Sequence, residues 1–155
     1  MTAYVSLEAF QALIRNLEDD SSHKNLVNAL ANAILSYHFL LSNSFASTAA
    51  TRIQLIHYVV VEAKRKDDDL GTAVEQLVID LEQAETESGR RWRIIFDGLD
   101  VLFYEYHANL PAGHRLIPAG PPSQPSRSVF HMRDDSLAVD EMMDHMRQRE
   151  TPGPR

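Results

Sequence analysis

The chain has no cysteine. Disulfide staples and thiol nucleophiles are therefore excluded, and cysteine usage says nothing about redox compartment. No uncharged apolar run approaches the roughly 18 residues that a membrane-spanning helix needs, so no membrane partner is expected. The first twenty residues include Glu8, Arg15, Glu18, Asp19 and Asp20. They do not form the basic-then-apolar pattern of a signal peptide. The compartment stays open between the cytoplasm and secretion within a longer precursor. Basic excess is also lacking. The formal net charge is −7, and residues 1–110 hold 9 Lys/Arg against 16 Asp/Glu. Such a chain has no global field for nucleic acid, so any RNA contact must rest on local clusters, Lys64–Lys66 or Arg90, Arg91 and Arg93. GxxxxGK[ST], GxGxxG and HExxH are absent. The seven histidines are scattered, with no i,i+4 pair beside a carboxylate. No cofactor and no metal site is expected.

What is present is 155 residues with 44% apolar content, enough for one domain with a core. Leu7, Phe10, Leu13 and Leu17 recur at helical spacing behind Ser6, a good N-cap, with Tyr4 just before it. Val27, Leu30, Ala31 and Ile34 predict a second helix over 23–42. His38 falls on its apolar end, where a core histidine is the expected role. Residues 47–66 predict a third helix on length, although Val59–Val61 has strand propensity. Val74, Leu77, Val78 and Leu81 predict another over 71–86. The stretch 90–106 holds Trp92, Phe96, Phe103, Tyr104 and Tyr106. Its 3–4 stripe favours a helix, while Asp97-Gly98 offers a competing hairpin turn. After Pro111 the sequence AGPPSQPS reads as a linker. The domain organisation expected is a helical unit over 1–110, then a Pro-rich linker and flexible tail over 111–155. That tail includes a short helix over 136–149, capped by Ser136. The fold class expected is mainly α.

Within the third helix, the apolar run ends in Glu62-Ala63-Lys64-Arg65. On a helix Glu62 and Arg65 share a face at i,i+3. At the rim of a core they form an acid/base and electrostatic pair; on an open surface they are an ordinary ion pair of little worth. Trp92 follows 30 positions later, beside Arg90, Arg91 and Arg93.

The run TAATRIQLIHYVVVEAKR, the helix NLVNALANAILSYH before it, and the spacing from Glu62-Ala63-Lys64-Arg65 to Trp92 together resemble the ribosome-inactivating proteins, the ricin A-chain-like rRNA N-glycosylases. Tyr4, followed by Leu7-Glu8, resembles the tyrosine that stacks on the target adenine in that family. The resemblance covers about residues 4–105 and matches only the family's C-terminal half. It implies an enzyme that removes one adenine from a ribosomal RNA loop, a toxin that inhibits protein synthesis and serves in defence. Glu62 would stabilise the oxocarbenium charge or help activate water, and Arg65 would stabilise the departing base. Tyr4 and Trp92 would shape the adenine site. The partner implied is the ribosome and its RNA. Lys66 stands where the family has an aromatic residue, and Gly89-Arg90 where it has a glutamate and an asparagine. No second stacking tyrosine is present. These departures imply a truncated or weakly active form. The alternative expectation is a non-catalytic helical module, derived from the same fold, that self-associates or binds an N-terminal partner chain through an uncovered apolar face.

Overall fold

The computed structural model describes residues 4–20, 24–40, 59–64, 71, 89–149 and 151–155, with the backbone alone for residues 40 and 59–64. A 3-10 turn over Tyr4–Ser6 leads into α1, Glu8–Asp19. The apolar stripe of α1 buries Phe10, Ile14 and Leu17, as a one-sided helix must. Its N-cap position is Leu7, one residue beyond the expected Ser6, and Leu7 makes no side-chain cap bond. Helix α2, Lys24–Leu35, buries Val27, Leu30, Ala31 and Ile34. It then widens into a π-helical turn over Ser36–Leu40.

The expectation of a mainly α chain is overturned here, because the protein is α+β. Among the described residues a five-stranded sheet is built from β1 (Val59–Lys64), β2 (Arg90–Asp97), β3 (Asp100–His107), β4 (Leu116–Pro118) and β5 (Val129–His131). The stretch expected to be helical over 90–106 is a hairpin instead. Asp97 pairs with Asp100 across a two-residue turn, and Gly98 takes the left-handed φ of 61° that the turn needs. Sequence period cannot separate the two readings, because both faces of β2 are buried. Trp92, Ile94 and Phe96 occupy one face, and Arg91, Arg93 and Ile95 the other. Strand β1 replaces the C-terminal part of the helix expected over 47–66. It runs parallel to β2, with Val59 opposite Trp92 and Lys64 opposite Asp97. The β-branched run Val59–Val61 thus follows its strand propensity. The helix expected over 71–86 lies outside the described residues except for Gly71.

Strand β3 takes two antiparallel neighbours along its other edge, β5 at Asp100–Leu102 and β4 at Tyr104–Tyr106. The segment expected to be linker and flexible tail therefore supplies two strands of the sheet. It also supplies α3, Ser136–Gln148, with Asp135 and not Ser136 at the N-cap. Ala119, Phe130, Met132, Val139, Met142, Met143 and Met146 join Tyr4, Ile14, Ile34, Trp92 and Phe103 in one core. That core lies between one face of the sheet and the helices. A smaller cluster, Ile95 and Leu102 with Tyr104 and Leu116, occupies the opposite face. No helix among the described residues is long and apolar enough to cross a membrane.

Candidate functional site

The four predicted site residues lie in different settings. Tyr4 is fully buried, and its hydroxyl donates to the carbonyl oxygen of Met132 at 2.5 Å. Its ring tilts against Phe10 at 5.4 Å and meets His38 edge-on at 6.4 Å. Burial raises the phenol's pKa far above its usual range, and the charges of Asp140 and then Asp135 raise it further, so Tyr4 stays a donor. Trp92 is 2% exposed. Its indole N–H points to the carbonyl oxygen of Arg149 at 3.4 Å, and His145 stands edge-on to its ring at 5.6 Å. Tyr4 and Trp92 thus belong to one core, each with its polar tip turned to backbone. Glu62 is a residue of β1, opposite Ile95 in the parallel register. Arg65 lies outside the described residues.

The structure brings together a different set of residues. The π-helical turn carries His38 inward, and such turns recur at functional sites. His38 Nε2 is 2.9 Å from Asp140 Oδ1, and Nδ1 is 4.0 Å from Asp144 Oδ1. Both His38 and Asp140 are 6% exposed. The two atoms pair with each other in the interior, short of hydrogen-bond alignment.

Asp140 and Asp144 also line a groove of about 360 Å³ beside α3, together with Leu137, Glu141, His145, Gln148 and Pro122. Leu137, Glu141, Asp144 and Gln148 follow the helical repeat i, i+4, i+7, i+11, so one side of α3 forms the groove while its methionines face the core. Leu137 is 71% exposed, an unusual position for a leucine beside three carboxylates. The opposite wall comes from the loop after β4. Two successive turns shape it, with Gln124 N–H donating to Pro121 O at 2.8 Å and Arg127 N–H to Gln124 O at 3.1 Å. Ser123 fastens this loop to α3, its backbone N–H donating to Glu141 Oε1 at 3.0 Å and its hydroxyl to Oε2. Arg127 braces the loop's end by pairing with Asp135, with its guanidinium 4.7 Å from the centre of the Phe130 ring.

Charge around the groove is uneven. Arg147 reaches Asp144 at 3.1 Å. His145 is held below its ordinary pKa, first by burial and then by the charge of Arg149, with Glu105 and Glu141 acting in the opposite direction. The two leading causes both disfavour the charged form of the ring.

Sequence reasoning missed the groove. His38 was visible only as a histidine on an apolar helix, and nothing in sequence joined it to Asp140. The one local signal was Leu137, apolar on the side of α3 where Glu141 and Asp144 recur. Comparison with protein-family models, with curated proteins and with solved structures finds no match for this chain.

Proposed function

We propose that the protein is an α+β interaction module that receives a segment of a partner in the groove between α3 and the 121–127 loop. The observation that supports this reading is Leu137, a leucine 71% exposed on the wall of the groove beside Asp140, Glu141 and Asp144. The test is a titration of labelled protein with short basic, acidic and uncharged peptides, followed through backbone amide resonances. At least one class should shift the signals of α3 and of residues 121–127. If none does, the reading is abandoned.

The rRNA N-glycosylase reading stands as a second proposal, supported by one observation. The parallel register sets the backbone of Glu62 on the strand next to β2, which carries Trp92 and Arg90, Arg91 and Arg93. Its test is aniline-cleavable depurination of intact ribosomes. The activity must be present in the wild type and lost in Glu62→Ala at unchanged stability. The interaction reading expects no depurination from either protein.

A further inference from the structure

Where β2 begins and β3 ends, four side chains form a patch on the core-facing side of the sheet. The antiparallel register sets Trp92 opposite Glu105 and Arg90 opposite His107. Paired residues of neighbouring strands share a face, so the four stand together as two adjacent rungs. His107 is fully buried, and its Nε2 lies 3.0 Å from Glu105 Oε2, which fixes the carboxylate. The segment Thr151–Arg155 bridges these rungs. Arg90 Nη1 donates to the Pro152 carbonyl at 2.8 Å, and Arg155 Nε donates to Glu105 Oε2 at 3.0 Å. Pro152 is buried there, while Gly153, Pro154 and Arg155 are exposed. The indole N–H of Trp92 points to the carbonyl oxygen of Arg149, two residues before the segment.

These contacts select a particular chemistry. A proline has no backbone N–H, so a segment with Pro152 and Pro154 is poorly suited to join a strand ladder. It offers carbonyls and the side chains between and after its prolines. The patch takes one of each, a carbonyl through Arg90 and a guanidinium through Glu105. Two prolines also limit the freedom that docking removes. The hold on the segment is light. It has no regular secondary structure, and the Arg155 side chain is 53% exposed, where an ion pair contributes little. A cavity of about 380 Å³, lined by Arg90, Arg149, Thr151, Pro152 and Gly153, leaves one side of the segment unpacked.

We propose that the patch of Arg90, Trp92, Glu105 and His107 is a receptor for an extended proline–arginine segment of a partner protein, and that Thr151–Arg155 fills it in cis as an autoinhibitory strap. The occupant is identified by the segment already seated, whose carbonyl and guanidinium are the two groups held. An acidic segment in its place would set its charge against Glu105. The groove beside α3 plays no part in this site. A tethered strap is present at an effective concentration on the order of millimolar. A partner therefore binds with an affinity reduced by the fraction of molecules whose strap is open.

The experiment uses the full chain and the peptide Thr-Pro-Gly-Pro-Arg, acetylated and amidated, with a counterpart carrying glutamine in place of arginine. Binding is followed through the Trp92 indole N–H resonance and the amides of residues 90–92 and 105–107. Arg155→Glu repels the strap from Glu105 and should bind the arginine peptide about tenfold more tightly than wild type, as expected for a strap closed about nine-tenths of the time. Glu105→Gln added to Arg155→Glu should weaken that binding about tenfold. Opposite signs on the two sides of one ion pair distinguish a receptor from a structural contact, whose loss would loosen the segment in either variant and create no peptide affinity. Because Glu105 also holds His107, the glutamine peptide makes the same cut from the ligand side, and Arg155→Glu should bind it about tenfold more weakly. The proposal is overturned if the arginine peptide leaves the signals of Arg155→Glu unmoved, or binds wild type and Arg155→Glu equally. Equal binding of the two peptides overturns it as well. Signals that move with protein concentration alone make the occupant a second copy's segment, and the cis strap is then wrong.

Discussion

Replacing Tyr4 by Phe separates the two roles that this residue has been given. The substitution keeps the ring, its contact with Phe10 and its edge toward His38, and removes only the hydroxyl. That hydroxyl joins two points 128 residues apart, the N-terminal turn and the Met132 carbonyl just before α3. Because Tyr4 is fully buried, water does not replace the lost donor. The net worth of such a bond is about 1 kcal/mol, and an acceptor left unsatisfied in the interior raises the cost toward about 2–3 kcal/mol. For a chain of this size, Tm should fall by roughly 2–4 °C per kcal/mol. Urea denaturation followed by the fluorescence of the single tryptophan, Trp92, measures the change directly, since that indole lies in the same core. The expected result is a lower midpoint at unchanged slope. Were Tyr4 a free platform for a stacked base, Phe would serve equally well and stability would not move. Equal midpoints for wild type and Tyr4→Phe would therefore refute the placement of Tyr4 as a core strut.

Two more perturbations follow from the same packing. A Cβ at Gly120 would stand 2.1 Å from the carbonyl oxygen of Arg127 and 2.2 Å from that of Gln124. Gly120→Ala should thus displace the 121–127 loop, cost about 1–3 kcal/mol or more by overpacking, and shift the Ser123 amide resonance; an unchanged spectrum would contradict the loop geometry. Acidification should lower stability in two stages. His145 has a folded pKa below its ordinary 6.5, so the unfolded state binds more protons and stability falls as pH drops below about 6.5. Glu18 and Asp135 are held below their usual values of 4.5 and 3.8 by hydrogen bonds from Arg133 and Arg127. Their contributions, full above those values, are lost as pH falls through the lower folded ones. Urea midpoints that stay flat between pH 7 and 5, or a first stage that persists in His145→Phe, would show that His145 is not the group responsible.

The elements legible in the sequence are those with one wet face. Helices α1 and α2 show apolar residues at three-four spacing against a polar remainder, and their buried residues are the ones that spacing selects. The sheet hid itself for the opposite reason. Strand β2 is buried on both sides, so it shows no alternation, and a continuous apolar run fits a helix and an interior strand equally well. Arg91 and Arg93 deepened the ambiguity by reading as a surface cluster, although both are buried. The decisive local sign was Asp97-Gly98, because only the hairpin gives Gly98 a use for its positive φ. The proline-rich stretch misled differently. Its prolines and Gly120 shape turns that lie against the core and connect two strands, whereas the same composition in isolation resembles a linker.

The candidate site was less legible than the fold, and the reason is physical. Sequence reasoning singled out Tyr4 and Trp92 through the resemblance to the ribosome-inactivating proteins, on the spacing to Trp92 and on Tyr4 followed by Leu7-Glu8. Large aromatic residues are also the most effective way to fill a core, provided their single polar tip finds a partner. Here both tips meet backbone carbonyls. By contrast, the groove depends on packing. His38 and Asp140 come from opposite ends of the sequence, and their pair at 2.9 Å exists only after the π-helical turn and α3 have packed together. The exposed leucine and the two carboxylates on one side of α3 do follow a helical spacing, but that stripe becomes a groove only when the fold brings Pro122 and its loop against it.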